Sequence, residues 1–183
     1  MTPTSLSARA RVGLAAALVV PAAFLGACSA VGGGAGCRGT AAELKYLAAQ
    51  PVLGSAPAGA AAPANYRGVG VTTGCDDDSS GRRLHAERLY AFPGGPGDVM
   101  AHYTRTASAA GWQPEHDPGP KAPDATIAGA CWTRTDKGRH LLLSVDFRTG
   151  GYAPAPKTAG GIAYEVSVGT TSDGSGGEAS CWH

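Results

Sequence analysis

The stretch Arg139-His140-Leu141-Leu142-Leu143-Ser144-Val145-Asp146-Phe147-Arg148 decides the fold. Leu141, Leu143, Val145 and Phe147 fall at every second position, with Ser144 and Asp146 between them. Successive side chains of a strand point to opposite faces, so this pattern predicts a strand with one apolar and one polar face. Such a strand needs neighbours of the same kind. Upstream, Asp136-Lys137-Gly138 has turn chemistry, and 127–135, with Cys131 and Trp132, supplies the other arm of a hairpin. Downstream, a Pro/Gly loop over 149–161 leads to a segment in which Ile162, Tyr164, Val166 and Val168 alternate with Ala163, Glu165 and Ser167.

Further out, Leu84, Ala86, Arg88, Tyr90 and Phe92 alternate in a strand from Arg82. Pro93-Gly94-Gly95-Pro96-Gly97 stops it. A helix is expected from Asp98 to about Ala110, with Val99, Tyr103, Ala107 and Ala110 on its apolar face. Gly111 suits the left-handed residue after a helix, and Trp112 then folds back on the last turn. A short strand is expected over 112–116, and 117–124, with three prolines, reads as a loop. Nearer the N-terminus a helix is expected from Thr40, with Glu43 completing a capping box, Leu44, Leu47 and Ala48 on one side, and Pro51 ending it. Residues 54–65 form an Ala/Pro/Gly loop, and 66–73 are read as a short strand. The order predicts an α+β fold: an antiparallel sheet covered on one face by the helix at 98–110, in two layers stapled by disulfides.

The first 27 residues have the three parts of an export signal: Arg9 and Arg11, an uncharged run from Val12 to Ala27, and small residues before Cys28. A run of 16 residues is short for a bilayer span, which takes roughly 20. Leu25-Gly26-Ala27-Cys28 matches a lipobox, in which the Cys28 thiol accepts a diacylglycerol and the chain is cut before it. Several acyl chains, palmitate among them, anchor stably where one binds only marginally. The expected organisation is a signal peptide over 1–27, a Gly-rich tether over 28–39, and one α+β domain over 40–183.

Of 15 Lys and Arg in the whole chain, Arg9 and Arg11 leave with the signal, so 13 face 14 acids. That balance lacks the basic footprint of a nucleic-acid binder. Cys37, Cys75, Cys131 and Cys181 remain as an even set, read as two disulfides rather than metal ligands because no CxxC occurs. Four cysteines allow three connectivities. Domain termini often lie together, which favours Cys37–Cys181 with Cys75–Cys131.

A lipobox at Cys28, Cys75 before an Asp/Ser/Gly turn, a helix ending Gly111-Trp112, and Cys131-Trp132 opening a hairpin resemble a group of small secreted lipoproteins of high-GC Gram-positive bacteria. The resemblance spans roughly 40–183. It supports the lipoprotein reading and the Cys75–Cys131 pairing, and it implies no catalytic residue.

Three constellations bear on chemistry. Asp76, Asp78, Ser80 and Glu87 match positions 1, 3, 5 and 12 of a calcium loop, with Gly81 at position 6. Leu84 offers no ligand and the flanks read as strands, so the alternative is an acidic turn. Trp112, Trp132 and Trp182 are either an aromatic platform for a glycan or core packing beside disulfides. Glu115-His116-Asp117 is a weak metal candidate or a solvated turn. The chain has no GxSxG, HExxH or phosphate loop. The expected function is a membrane-anchored, non-catalytic binding or structural module on the extracytoplasmic face, with a surface protein or glycan as partner and no cofactor. The alternatives are a calcium-dependent surface protein and an enzyme with a scattered site.

Overall fold

The computed structural model describes residues 37–78, 81–115 and 129–171. The signal peptide, Cys28, most of the tether, Ser80, His116, Cys181 and Trp182 lie outside the described residues. Two helices, α1 (Ala41–Ala48) and α2 (Pro96–Ala109), accompany six strands: β1 (Thr72–Asp78), β2 (Gly81–Phe92), β3 (Gln113–Pro114), β4 (Gly129–Asp136), β5 (Arg139–Asp146) and β6 (Ile162–Thr171). All six belong to one antiparallel sheet in the order β1-β2-β6-β5-β4-β3. The chain makes the β1–β2 hairpin, crosses on α2 to the far edge, and returns strand by strand until β6 docks along β2. The fold is α+β, as the alternation predicts.

One face of the sheet carries Leu84, Ala86 and Tyr90 from β2, Tyr164, Val166 and Val168 from β6, and Leu141, Leu143 and Val145 from β5, all buried. Register makes them a continuous apolar layer, with Tyr90 opposite Tyr164, Ala86 opposite Val168 and Val145 opposite Val166. Both helices close this layer. From α2 come Val99, Tyr103 and Ala107, spaced one turn apart; from α1 comes Leu47; Val52 and Leu53 follow from a 3-10 turn at Pro51–Gly54. The expected single covering helix is thus one of two.

The ends of α2 follow the sequence closely. Asp98 accepts the Gly95 N–H at 3.2 Å, placing an anion where unpaired N–H groups accumulate. Gly111, at φ +81, reverses the chain, the Trp112 N–H returns to the Ala107 carbonyl at 3.0 Å, and Trp112 is buried. At α1 the capping box does not form. The Thr40 hydroxyl donates to the Cys37 carbonyl, and Glu43 instead grips Arg139 of β5 with Oε1 at 2.7 Å. A long-range guanidinium outcompetes the local backbone donor because it offers charge as well as hydrogen bonds.

Two further expectations are corrected. The first strand does not lie at 66–73: Ala64–Tyr66 is a 3-10 turn, and the strand begins at Thr72 and runs through Cys75-Asp76-Asp77-Asp78. Pairing with β2 supplies the ladder that local propensity lacks. The favoured disulfide pairing also fails, because Cys37 is bonded to Cys75. Cys75 stands opposite Leu84 on the helix-bearing face, and Cys37 lies four residues before α1, so packing α1 there brings the two together. Cys131 is disulfide-bonded as well.

Candidate functional site

The second face of the sheet is polar, and register defines it. Across the β1-β2-β6-β5 strands run four rungs: Asp76 beside Arg83; Gly74, His85, Gly169 and Leu142; Thr72, Glu87, Ser167 and Ser144; then Leu89, Glu165 and Asp146. The second rung has glycine on either side of His85. A Cβ on Gly74 would meet the His85 imidazole, so the ring lies over that glycine and a larger residue there would displace it. The missing side chains open a depression of about 230 Å³ lined by Asp76, His85, Ser144, Asp146, Glu165 and Ser167 among others.

His85 is bracketed by carboxylates, with Nδ1 3.4 Å from Asp76 and Nε2 3.8 Å from Glu87. Glu87 accepts the Thr72 hydroxyl at 3.2 Å. Tyr152, from the loop between β5 and β6, lies over the last two rungs. Its hydroxyl donates to Glu165 at 2.7 Å, with Glu87 3.4 Å away. Arg148 binds Asp146 through both its backbone N–H and its guanidinium.

Burial holds the Glu165 carboxyl above the usual carboxylate range, and the charges of Glu87 and Asp146 add to that push. The Tyr152 hydroxyl and His85 act in the opposite direction. Tyr152 is itself pushed well up, first by burial and then by its bond to Glu165. Crowded carboxylates of this kind favour a cationic neighbour. Both ionic partners of His85 are carboxylates rather than a nucleophile it would activate.

Of the calcium-loop residues, Asp76 and Glu87 share this face, on either side of His85. Asp76 pairs with Arg83 and Glu87 with Thr72, four residue pairs or roughly 13 Å apart along the strands. Ser80 and the Asp78 side chain lie outside the described residues, and the segment around them runs as two paired strands rather than between two helices. Among the described residues no group of three or more His, Cys, Asp and Glu side chains is placed to hold a metal ion. Of the three tryptophans, Trp112 and Trp132 are buried in the core, 1% and 3% exposed, and Trp182 lies outside the described residues.

Sequence reasoning assigned no role to His85, Asp146, Tyr152 or Glu165. The signal was present in part, since alternation already set Asp146 and Glu165 on the polar face of their strands. Only the register of β6 between β2 and β5 brings them together.

No family model, curated protein or solved structure matches this chain.

Proposed function

We propose that this protein is a lipid-anchored extracytoplasmic binding module, held at the membrane through Cys28 and meeting its partner with the polar face of its sheet. The observation that carries the reading is Leu25-Gly26-Ala27-Cys28 at the end of an uncharged leader. A thiol at that position is a lipid acceptor, and a diacyl anchor tethers without spanning. Disulfides agree with an oxidising compartment outside the cytoplasm. Recognition suits a face on which a histidine is bracketed by two carboxylates.

The test is expression of the full chain in a high-GC Gram-positive host, followed by detergent phase partitioning and mass measurement of the mature N-terminus. The expected result is a chain beginning at a diacylglyceryl-modified Cys28 that enters the detergent phase, and a Cys28→Ser variant that does not. An uncleaved precursor carrying unmodified Cys28 in the membrane would overturn the anchor. Affinity capture of the anchored form against a variant carrying His85→Ala and Glu87→Gln then tests the polar face, since a partner held equally by both does not use it.

A further inference from the structure

Beside the polar face lies a smaller recess of about 100 Å³, bounded by Tyr66, Tyr152, Glu87, Leu89 and Val69. We propose that this recess binds a small alkylated ammonium group, the chemistry carried by choline and betaine. Tyr66 and Tyr152 meet at right angles with ring centroids 5.8 Å apart, giving two aromatic walls. Their hydroxyls are tied back, Tyr66 to the Pro154 carbonyl at 2.7 Å and Tyr152 to Glu165 at 2.7 Å, so both rings are held in place before any ligand arrives. The loop bearing Tyr152 is further pinned by Asn65, which donates to the Ala155 carbonyl and accepts from the Lys157 N–H. Leu89 is buried, and Val69, 48% exposed, is the one large hydrophobic residue that stands out among those described.

Aromatic walls attract cations through the negative faces of their rings, most effectively where water is excluded. Glu87, with Glu165 behind it, makes the recess negative as well. The choice between a bare and an alkylated ammonium follows from the acceptors. A primary ammonium brings three N–H donors that each require an acceptor. Here the lining carboxylate already accepts the Thr72 hydroxyl and lies near that of Tyr152, and apart from Thr72 itself the other lining side chains are apolar or aromatic. An alkylated ammonium has few or no N–H groups to satisfy, and its methyl groups pack against ring and aliphatic carbon. A volume of this size has room for several water-sized groups, which a trimethylammonium head would replace.

The inference rests on the binding-module reading, but its test is separate from the anchor, because loss of ligand binding leaves the mass of Cys28 unaltered. The full chain in maltoside detergent is titrated with choline and with its neutral isostere 3,3-dimethylbutan-1-ol, following the ligand methyl signals by saturation-transfer NMR. Choline is expected to bind at least about tenfold more tightly than the neutral isostere. Tyr152→Leu and Glu87→Gln should each weaken it, the former about tenfold. Tyr152→Phe, which keeps the ring, should retain most of the affinity. If Tyr152→Leu does not fold, the comparison of cation with isostere on the unaltered chain and the Glu87→Gln variant still decide. Equal binding of the two ligands, no binding of choline, or full affinity in Glu87→Gln would overturn the proposal. Glycerophosphocholine separates the sources: equal or tighter binding than choline supports the recess as a reader of lipid headgroups, and its exclusion with choline still bound supports a free solute.

Discussion

Three tyrosines in the core differ in one atom's surroundings. Tyr90 stacks on Tyr164 with centroids 5.4 Å apart, and Tyr103 meets Tyr164 edge-on at 6.2 Å. The Tyr90 hydroxyl donates to the Leu53 carbonyl at 2.6 Å. Those of Tyr103 and Tyr164 are buried and make no hydrogen bond of regular geometry, though each acts on the other's ionisation. A buried hydroxyl without a partner carries its desolvation cost uncompensated. Tyr90→Phe should therefore cost about 1 kcal/mol, and Tyr103→Phe should be neutral or stabilising, as measured by urea denaturation. An equal loss in both would mean that the Tyr103 hydroxyl is satisfied. Two adjacent glycines offer a second contrast. Gly160 and Gly161 both hold positive φ, but a Cβ on Gly161 would lie 2.1 Å from the Phe92 carbonyl oxygen, while one on Gly160 meets nothing within 4 Å. Gly160→Ala is expected to cost about 1 kcal/mol from the backbone alone, and Gly161→Ala at least about 2 kcal/mol because the obstructing atom is main chain. Similar melting temperatures for the two variants would contradict this.

At the scale of elements, α1 shows how a short helix is held. Eight residues are too few to be stable alone. Leu47 anchors it in the core, Glu43 binds Arg139, the Tyr46 hydroxyl donates to Asp136, and the Arg139 guanidinium lies 4.6 Å from the Tyr46 ring centroid. These contacts join α1 to the β4–β5 hairpin, and the Cys37–Cys75 disulfide joins its N-terminal approach to β1. The crosslink closes a segment with a sequence separation of 38, for which chain entropy gives roughly 4 kcal/mol. Replacing both cysteines by serine should remove most of that in chemical denaturation. A loss below about 1 kcal/mol would mean that the α1 contacts already hold the segment closed in the unfolded chain. The elements themselves were largely legible. The helix ending at Gly111 and the strands around Leu143, Tyr90 and Val166 were announced by period and by punctuation. The strand through Cys75–Asp78 was not, because three consecutive aspartates have low strand propensity and their pairing with Arg83, Arg82 and Gly81 is a tertiary matter.

At the scale of the whole molecule, the two faces of the sheet set its response to pH. Glu165 is held above the ordinary carboxylate range, chiefly by burial. A carboxyl whose pKa is raised on folding adds stability while it is protonated, and that contribution disappears as the pH rises through the raised value. Glu165→Gln keeps a neutral acceptor for Tyr152 and removes the cost of the charge. The variant is expected to melt above the unaltered protein at neutral pH, with the difference shrinking as the pH falls toward the ordinary carboxylate range. A difference that grows on acidification would show that the bond from Tyr152 outweighs burial and that ionised Glu165 is favoured.

The sequence by itself determined most of the helices and strands and which face of each would be apolar, since these follow from the spacing of side chains along one element. It also set an even complement of cysteines beyond Cys28 and the lipobox from which the anchor is proposed. Tertiary structure alone decided the strand order, the Cys37–Cys75 bond and the grouping of His85, Glu87, Glu165, Asp146 and Tyr152. Those depend on which strands lie side by side and in what register. Register is a competition among long-range pairings, so no local pattern of residues records its outcome.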